Sequence, residues 1–325
     1  MSKNAAFIPS FRFKIAVRLA LVLLCVSSSL VFSDISWGKK PTREEIRNLI
    51  EKLNTNDEWD RDKTIEKLKK IGEDAVPFLV KVALDDESLF MRIGVKEVLI
   101  DSDYEIAGNE LIIALEDTDI RTRRRAIKWF SEWLSKRSWN IKSKYLYIVP
   151  KLTKLLDDKN SSVRSSAAYA LWSMGEKIAP DDEVITALTK RLNDDKDNSV
   201  RSNAAGALGS MGEKAATDDE VITALTKRLN DDKDDLVRSN AAGALWSMGE
   251  TAATNEVITA LTKRLNDDKD DLVRSNAAGA LGSMGKKAAT DDEVITALTK
   301  LLNHKDDSVR RNAAGALGSM GEKAA

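Results

Sequence analysis

Cysteine and histidine are almost missing from this chain of 325 residues: Cys25 and His304 are the only ones. A single histidine excludes a metal site held by several imidazoles and leaves no credible base for a Ser-His-Asp arrangement. Proline is scarce at five residues and aromatics amount to 6%, so long stretches are free to be helical. An excess of one charge is also lacking. Lys plus Arg number 51 against 52 Asp plus Glu, for a net charge of −1, which argues against a general nucleic-acid binder while leaving room for local patches. A Gly-rich phosphate loop is absent too, because the glycines of "GALGSMG" close a helical pattern instead of joining a strand to one. What is present is 42% hydrophobic and 32% charged sequence, enough for a buried core under a solvated surface.

The N-terminus differs from the rest. Lys3, Arg12, Lys14 and Arg18 precede an apolar run from Leu19 to Phe32, with no acid before Asp34. A basic start and a short apolar run fit an export signal, and the run is shorter than the roughly twenty residues of a spanning helix. Val31 and Ser33 take the −3 and −1 places of a cleavage before Asp34. We therefore expect residues 1–33 to be an export segment and the protein to be periplasmic or extracellular. The alternative is an uncleaved anchor that leaves the same protein tethered to the membrane. The bulky Leu24 before Cys25 disfavours lipoprotein processing, and cleavage would leave no cysteine.

Repetition is the dominant signal. "VRSNAAGALGSMG" at Val200–Gly212 returns in close copies from Val163, Val237, Val273 and Val309. The arginines of these copies are Arg164, Arg201, Arg238, Arg274 and Arg310, 36 or 37 residues apart by numbering. Such a period indicates a solenoid of stacked units. Each unit reads as two helices. "DEVITALTKRLND" puts Val184, Ile185, Leu188 and Leu192 on one side, with Asp182 and Glu183 suited to a helix start. The second helix puts Val200, Ala204, Ala205, Leu208 and Met211 on one face and stops at Gly212. Neither helix can bury its stripe alone, so successive pairs must stack. Degenerate copies run upstream at Glu73–Arg92 and Glu110–Phe130, the latter with Thr122-Arg123 for Val-Arg, behind an opening pair in "REEIRNLIEKL" and "DRDKTIEKLKKIG". The expected architecture is an all-α solenoid of about eight stacked antiparallel helix pairs. Its parts are a linker at 34–41, divergent units at 42–144 and regular units at 145–325.

The loop aspartate six places before "VR", the "VR" itself and the following "AA.AL" resemble the HEAT-repeat family, in particular the short bacterial form of phycobiliprotein-lyase subunits. The resemblance implies that Asp158, Arg164, Asp195, Arg201, Asp232, Arg238, Asp268 and Arg274 form a structural ladder tying adjacent loops by charge-assisted hydrogen bonds. A stacked-aspartate anion or metal site is the functional alternative. Deoxyhypusine hydroxylase, a HEAT-type enzyme, binds iron through His-Glu pairs, and this chain has none. The carboxylates of "NDDKDD" read as solvated loops rather than tuned acid–base groups. We expect no enzyme, no cofactor and no metal. A lyase-type accessory subunit acting on a chromophore-bearing protein is the other reading that the resemblance allows.

Surface is then what can act. Ser165, Tyr169 and Trp172 point away from the Val163, Ala167, Leu171, Met174 face. Their equivalents are Ser202, Gly206, Gly209; Ser239, Gly243, Trp246; Ser275, Gly279, Gly282; and Arg311, Gly315, Gly318. In HEAT solenoids the second helices line the concave side, so this stripe is expected to face a groove. Its mid-helix glycines mark either crowded helices or close approach of a ligand backbone. Tyr169, Trp172 and Trp246 either fill gaps over small residues or anchor a partner. A second candidate is Arg121–Lys151, with ten Lys or Arg and one acid, Glu132, interleaved with aromatics. Arg121, Arg123, Arg124, Arg125, Lys128, Trp133 and Trp139 are its proposed contacts, set against a reading in which the aromatics are core and the charges a solvated face. The expected function is a non-catalytic binding or scaffolding module for a protein, an acidic one by this patch, with nucleic acid disfavoured. Val294, Leu298, Val309 and Leu317 keep the internal pattern at the last unit, so end-to-end homo-oligomerisation is a further expectation.

Overall fold

The computed structural model describes residues 40–85, 88–101, 105–136, 143–175 and 182–321. Residue contacts separate Met1–Glu45 from Ile46–Ala325. In the first unit, Lys40–Glu45 is the described part. There the Glu45 carboxylate accepts the Thr42 N–H at 2.6 Å and the Thr42 hydroxyl accepts the Glu45 N–H at 3.2 Å. This reciprocal cap satisfies donors that a helix start leaves open. The expected export segment at 1–33 and most of the expected linker lie outside the described residues. Among the described residues, no helix is long and apolar enough to cross a membrane.

The second unit is built from helix pairs. The divergent part contributes α1 (Arg43–Glu51, which begins in the first unit), α2 (Glu58–Ile71), α3 (Val76–Asp85), α4 (Leu89–Asp101), α5 (Glu105–Ile113) and α6 (Ile120–Ser135). The regular part contributes α7 (Val149–Leu155), α8 (Ser161–Met174), α9 (Asp182–Asp194), α10 (Asn198–Ser210), α11 (Asp219–Asp231) and α12 (Asp235–Met248). It ends with α13 (Asn255–Asp267), α14 (Asp271–Ser283), α15 (Asp292–Leu301) and α16 (Asp307–Met320). Odd-numbered helices are the first of each pair and even-numbered the second. Among the described residues the result is an all-helical stack of eight pairs, in line with the period.

Local chemistry fixes the ends. Asp197 caps α10 by accepting from the N–H groups of Ser199 and Val200 at 2.9 and 3.4 Å. Asp234, Asp270 and Asp306 do the same for α12, α14 and α16. Each cap of this kind is worth about 0.5–2 kcal/mol relative to alanine. Gly212, after α10, has φ 59°, a region open to glycine without steric cost.

One continuous core runs through the second unit. Val184, Ile185, Leu188 and Leu192 of α9 are buried, as are Val200, Ala204, Ala205, Leu208 and Met211 on or just after α10. Packing is uneven between the two sides of the stack. Second helices meet one another far more extensively than first helices do. The glycines explain it. A Cβ built on Gly209 would lie 2.7 Å from the Ala244 Cα of α12, and one on Gly282 would lie 2.8 Å from the Ala316 Cα of α16. Ordinary carbon contacts are about 3.5–4.0 Å, so these backbones approach to a distance that a methyl group would forbid. Gly209 and Gly282 therefore serve helix crowding.

Candidate binding face and the inter-loop ladder

Two bond systems tie each repeat to the next. The first is ionic. Arg164 Nε and Nη2 donate to the two carboxylate oxygens of Asp195, one loop further on, at 2.7 and 2.8 Å. Arg201 grips Asp232 and Arg238 grips Asp268 in the same bidentate way. Each arginine also donates Nη1 to the backbone carbonyl six residues before it, as Arg201 does to Asp195 at 2.9 Å. The aspartate side chains are only 1% exposed. Burial alone would push the Asp195 carboxyl up. The Arg164 hydrogen bonds, the Asp197 N–H and the charges of Arg164 and Arg191 outweigh it and hold the group below the usual aspartate range. Asp232 and Asp268 are lowered by the same balance.

The ladder has members that the repeat text did not single out. Arg191, Arg228 and Arg264 approach the same carboxylates from one turn earlier, at 3.6, 3.4 and 3.5 Å. Their signal was visible as an arginine four places before each aspartate. Arg123 is also a rung: it meets Asp158 at 2.9 Å and donates to the carbonyls of Asp117 and Thr118. This corrects its assignment to a partner-facing patch, since its guanidinium is committed and only 16% exposed. Arg274 departs from the scheme. At the next loop stands His304, and Arg274 Nε donates to its own loop's Asp268 carbonyl. His304 Nδ1 accepts the Asp306 N–H at 3.1 Å, as Asp268 accepts that of Asp270. The imidazole reproduces the loop bond and lacks the second oxygen of a bidentate acceptor. Among the described residues, no group of three or more His, Cys, Asp or Glu side chains could hold a metal ion.

The second system is neutral. Asn203 Nδ2 donates to both the carbonyl and the hydroxyl of Ser165 on the preceding second helix, each at 3.0 Å. Asn240 and Ser202, Asn276 and Ser239, and Asn312 and Ser275 repeat the contact. Sequence reasoning missed it, although an Asn two places after the ladder arginine recurs in four units. It changes the expected groove stripe. Ser202, Ser239 and Ser275, with Gly206, Gly209, Gly279 and Gly282, are buried between helices instead of forming an open floor. The partly open positions are the asparagines, Ser210, Ser247 and Ser283, joined by Leu236 and Leu272 at the starts of α12 and α14, 58% and 52% exposed.

The aromatics fall into two groups. A Cβ on Gly206 would lie 2.8 Å from the Trp172 ring, and one on Gly279 would lie 2.7 Å from the Trp246 ring. Each indole thus lies against the next helix's glycine, and each keeps an open side. Trp172 is half-buried with the Tyr169 ring edge-on at 6.1 Å. Trp246 and Tyr169 are 40% and 45% exposed. Upstream, the aromatics turn inward. Trp133 is 1% exposed and stacks on Phe130 at 6.2 Å between centroids, so it belongs to the core and not to a partner surface. Trp129 is buried as well. Trp139 and Tyr145 lie outside the residues whose side chains are described. Of the α6 cations, Arg121, Arg124 and Lys128 are exposed. Arg125 is half-buried and donates to the Leu84 carbonyl.

At the last pair, Val294, Leu298 and Val309 are buried within the pair itself and Leu317 is half-buried. They are therefore not the open apolar edge expected of them. The exposed small residues are Ala314, Gly315 and Gly318; of their buried equivalents in α10, Gly209 lies against Ala244 of α12 and Gly206 against the Trp172 ring of α8.

Helix pairs stacked on one continuous core and bridged loop to loop define an α-solenoid repeat protein. A family model described as HEAT repeats matches residues 108–209, 149–246 and 258–325. The chain belongs to the HEAT-repeat family. Among solved structures it is similar to an engineered protein at 26% identity, over 66% of this chain and 97% of that one, with a TM-score of 0.55. Escherichia coli YibA is similar at 20% identity, over 98% of this chain and all of that one, with a TM-score of 0.56. Kap121p in its complex with Pho4p is similar at 17% identity and a TM-score of 0.65. There the match covers 85% of this chain and 33% of Kap121p, so the chain spans about a third of that protein. The last two likenesses concern the fold alone. Comparison with curated proteins gave no match.

Proposed function

We propose that this chain is a non-catalytic module that binds a protein partner on the face formed by its second helices, and that it works after export. The observation that carries the reading is the half-open state of Trp246 and Tyr169. Large rings seated on one side and solvent-exposed on the other are poised to bury their remaining area against a partner, and Trp and Tyr are enriched where binding energy concentrates. The exposed Arg121, Arg124 and Lys128 supply attraction for an acidic partner. Kap121p, which shares the fold, is seen bound to Pho4p, and a protein ligand suits the extended surface of stacked repeats. The charge pattern of residues 1–33 supports export.

The test is capture from the exported fraction of the native host with parent protein, Trp246→Leu and Tyr169→Ser. A partner held by the parent and lost by both variants, with helicity retained, is the expected result. Equal recovery on all three would place binding elsewhere and end this reading. N-terminal sequencing of the native protein checks export: an intact Met1 in a cytosolic fraction would refute it.

A further inference from the structure

The basic helix and the aromatic helices are successive members of one row. α6 packs directly on α8, α8 on α10, α10 on α12 and α12 on α14. The positions two before and two and nine after the ladder arginine are open or half-open on each, and so is the position five after it on α6, α8 and α12, whereas Gly206 and Gly279 at that position are covered by the Trp172 and Trp246 rings. On α6 these are Arg121, Arg125, Lys128 and Glu132. On α8 they are Ser162, Ser166, Tyr169 and Ser173, and on α12 Leu236, Asn240, Gly243 and Ser247. From α8 through α14 these four positions carry no charge, in a chain that is 32% charged. Glu132, the one acid on α6, is bound by Lys96 at 2.7 Å.

Resting on the binding reading above, we infer that this row is a single polarised docking surface for an extended polypeptide segment. The segment carries its acidic residues at one end, over Arg121, Arg124 and Lys128, and an uncharged, apolar and aromatic stretch across α8 to α14. The chemistry follows from desolvation. Seating a charged side chain over Tyr169, Trp246 and the committed asparagines removes it from water against uncharged groups, so the middle of the row favours uncharged side chains. The α6 end presents Arg124 and Lys128 exposed beside Arg121, which meets the capping Asp119 at 3.8 Å, and this basic group attracts acidic side chains. Length follows as well. Four helix-to-helix steps of about 8–10 Å span about 32–40 Å, which an extended chain rising about 3.3 Å per residue crosses in roughly ten to twelve residues.

Selection of a displayed library of random twelve-residue peptides on the immobilised protein tests this. We expect selected sequences to gather Asp and Glu in one terminal third, with aromatic and aliphatic residues beyond it. Selection on the Arg124→Glu, Lys128→Glu double variant should gather Lys and Arg in that same third and leave the apolar remainder unchanged. A synthetic peptide from the first selection should lose about tenfold or more in affinity for the double variant, the order expected when interfacial charge is reversed. Selected peptides with charge spread evenly, or an unaltered selection on the double variant, would overturn the polarity while binding that still depends on Trp246 upheld the general reading. Peptides indifferent to Trp246→Leu, or no selection at all, would overturn both. Displacement of the synthetic peptide by a single-stranded oligonucleotide or a sulfated glycan, with direct binding of that polyanion, would reassign the basic end and refute the inference.

Discussion

Replacing one glycine by alanine at two places with the same local sequence should change stability in opposite directions. Gly209 and Gly318 both stand in "AAGALGSM", and both lie inside second helices. By helix propensity alone, each substitution should stabilise by about 0.5–1 kcal/mol. At Gly318 a Cβ meets nothing within 4 Å, so that gain should be realised. At Gly209 the new methyl would sit 2.7 Å from the Ala244 Cα and 2.9 Å from its Cβ. The nearest atom belongs to backbone, so α12 itself must retreat, by roughly 1 Å to reach ordinary carbon contact. Overpacking of this kind costs about 1–3 kcal/mol, and the retreat also loosens the contacts flanking it. Net destabilisation of about 1–2 kcal/mol is the expected outcome for Gly209→Ala. Gly282→Ala should resemble Gly209→Ala, because its Cβ would lie 2.8 Å from the Ala316 Cα. Urea denaturation read by far-UV circular dichroism gives the midpoints, and the slope reports whether the stack still unfolds as one unit. If Gly209→Ala raised the midpoint as much as Gly318→Ala, the close approach of the second helices would be refuted.

Three further outcomes follow from the same geometry. Asp232→Ala should destabilise by about 3 kcal/mol or more, since it leaves the half-buried Arg201 and Arg228 guanidinium groups without their shared carboxylate; a variant as stable in urea as the parent would remove the ladder from the stability account. Asp195, Asp232 and Asp268 have native pKa values below the unfolded one of about 3.9. Their stabilisation is therefore complete above that value and lost as pH falls through the lower native values. Thermal melts should be flat in this contribution above about pH 5 and drop below about pH 4, less steeply in a triple Asn variant, and an equal drop in that variant would refute the assignment. Leu208→Asp should unfold more than its own pair, because loss of burial worth about 1.5–3 kcal/mol is joined by a carboxylate without a partner in a core shared by neighbours; matching melts would show that Leu208 is not core.

Sequence by itself determined the solenoid. The 36- and 37-residue period, the apolar stripes and the Asp and Gly helix ends are local or repeating properties, and the helices begin and end where those residues stand. The resemblance to HEAT repeats also singled out the ladder residues, while which arginine meets which aspartate came from the structure. Tertiary structure alone decided which surface is open. Trp133 and Trp246 are both tryptophans on second helices, yet one is stacked in the core and the other lies across Gly279 with a side to solvent. Gly209 and Gly318 share their local sequence, yet a Cβ on the first would meet the Ala244 backbone at 2.7 Å and one on the second would meet nothing within 4 Å. Arg123 and Arg124 are adjacent in a basic run, and only the position of the Asp158 loop commits the first and leaves the second exposed. In each case the deciding quantity is the distance to a helix or loop thirty or more residues away. Periodicity within one helix carries no record of that distance, because the same stripe can face either a neighbour or water.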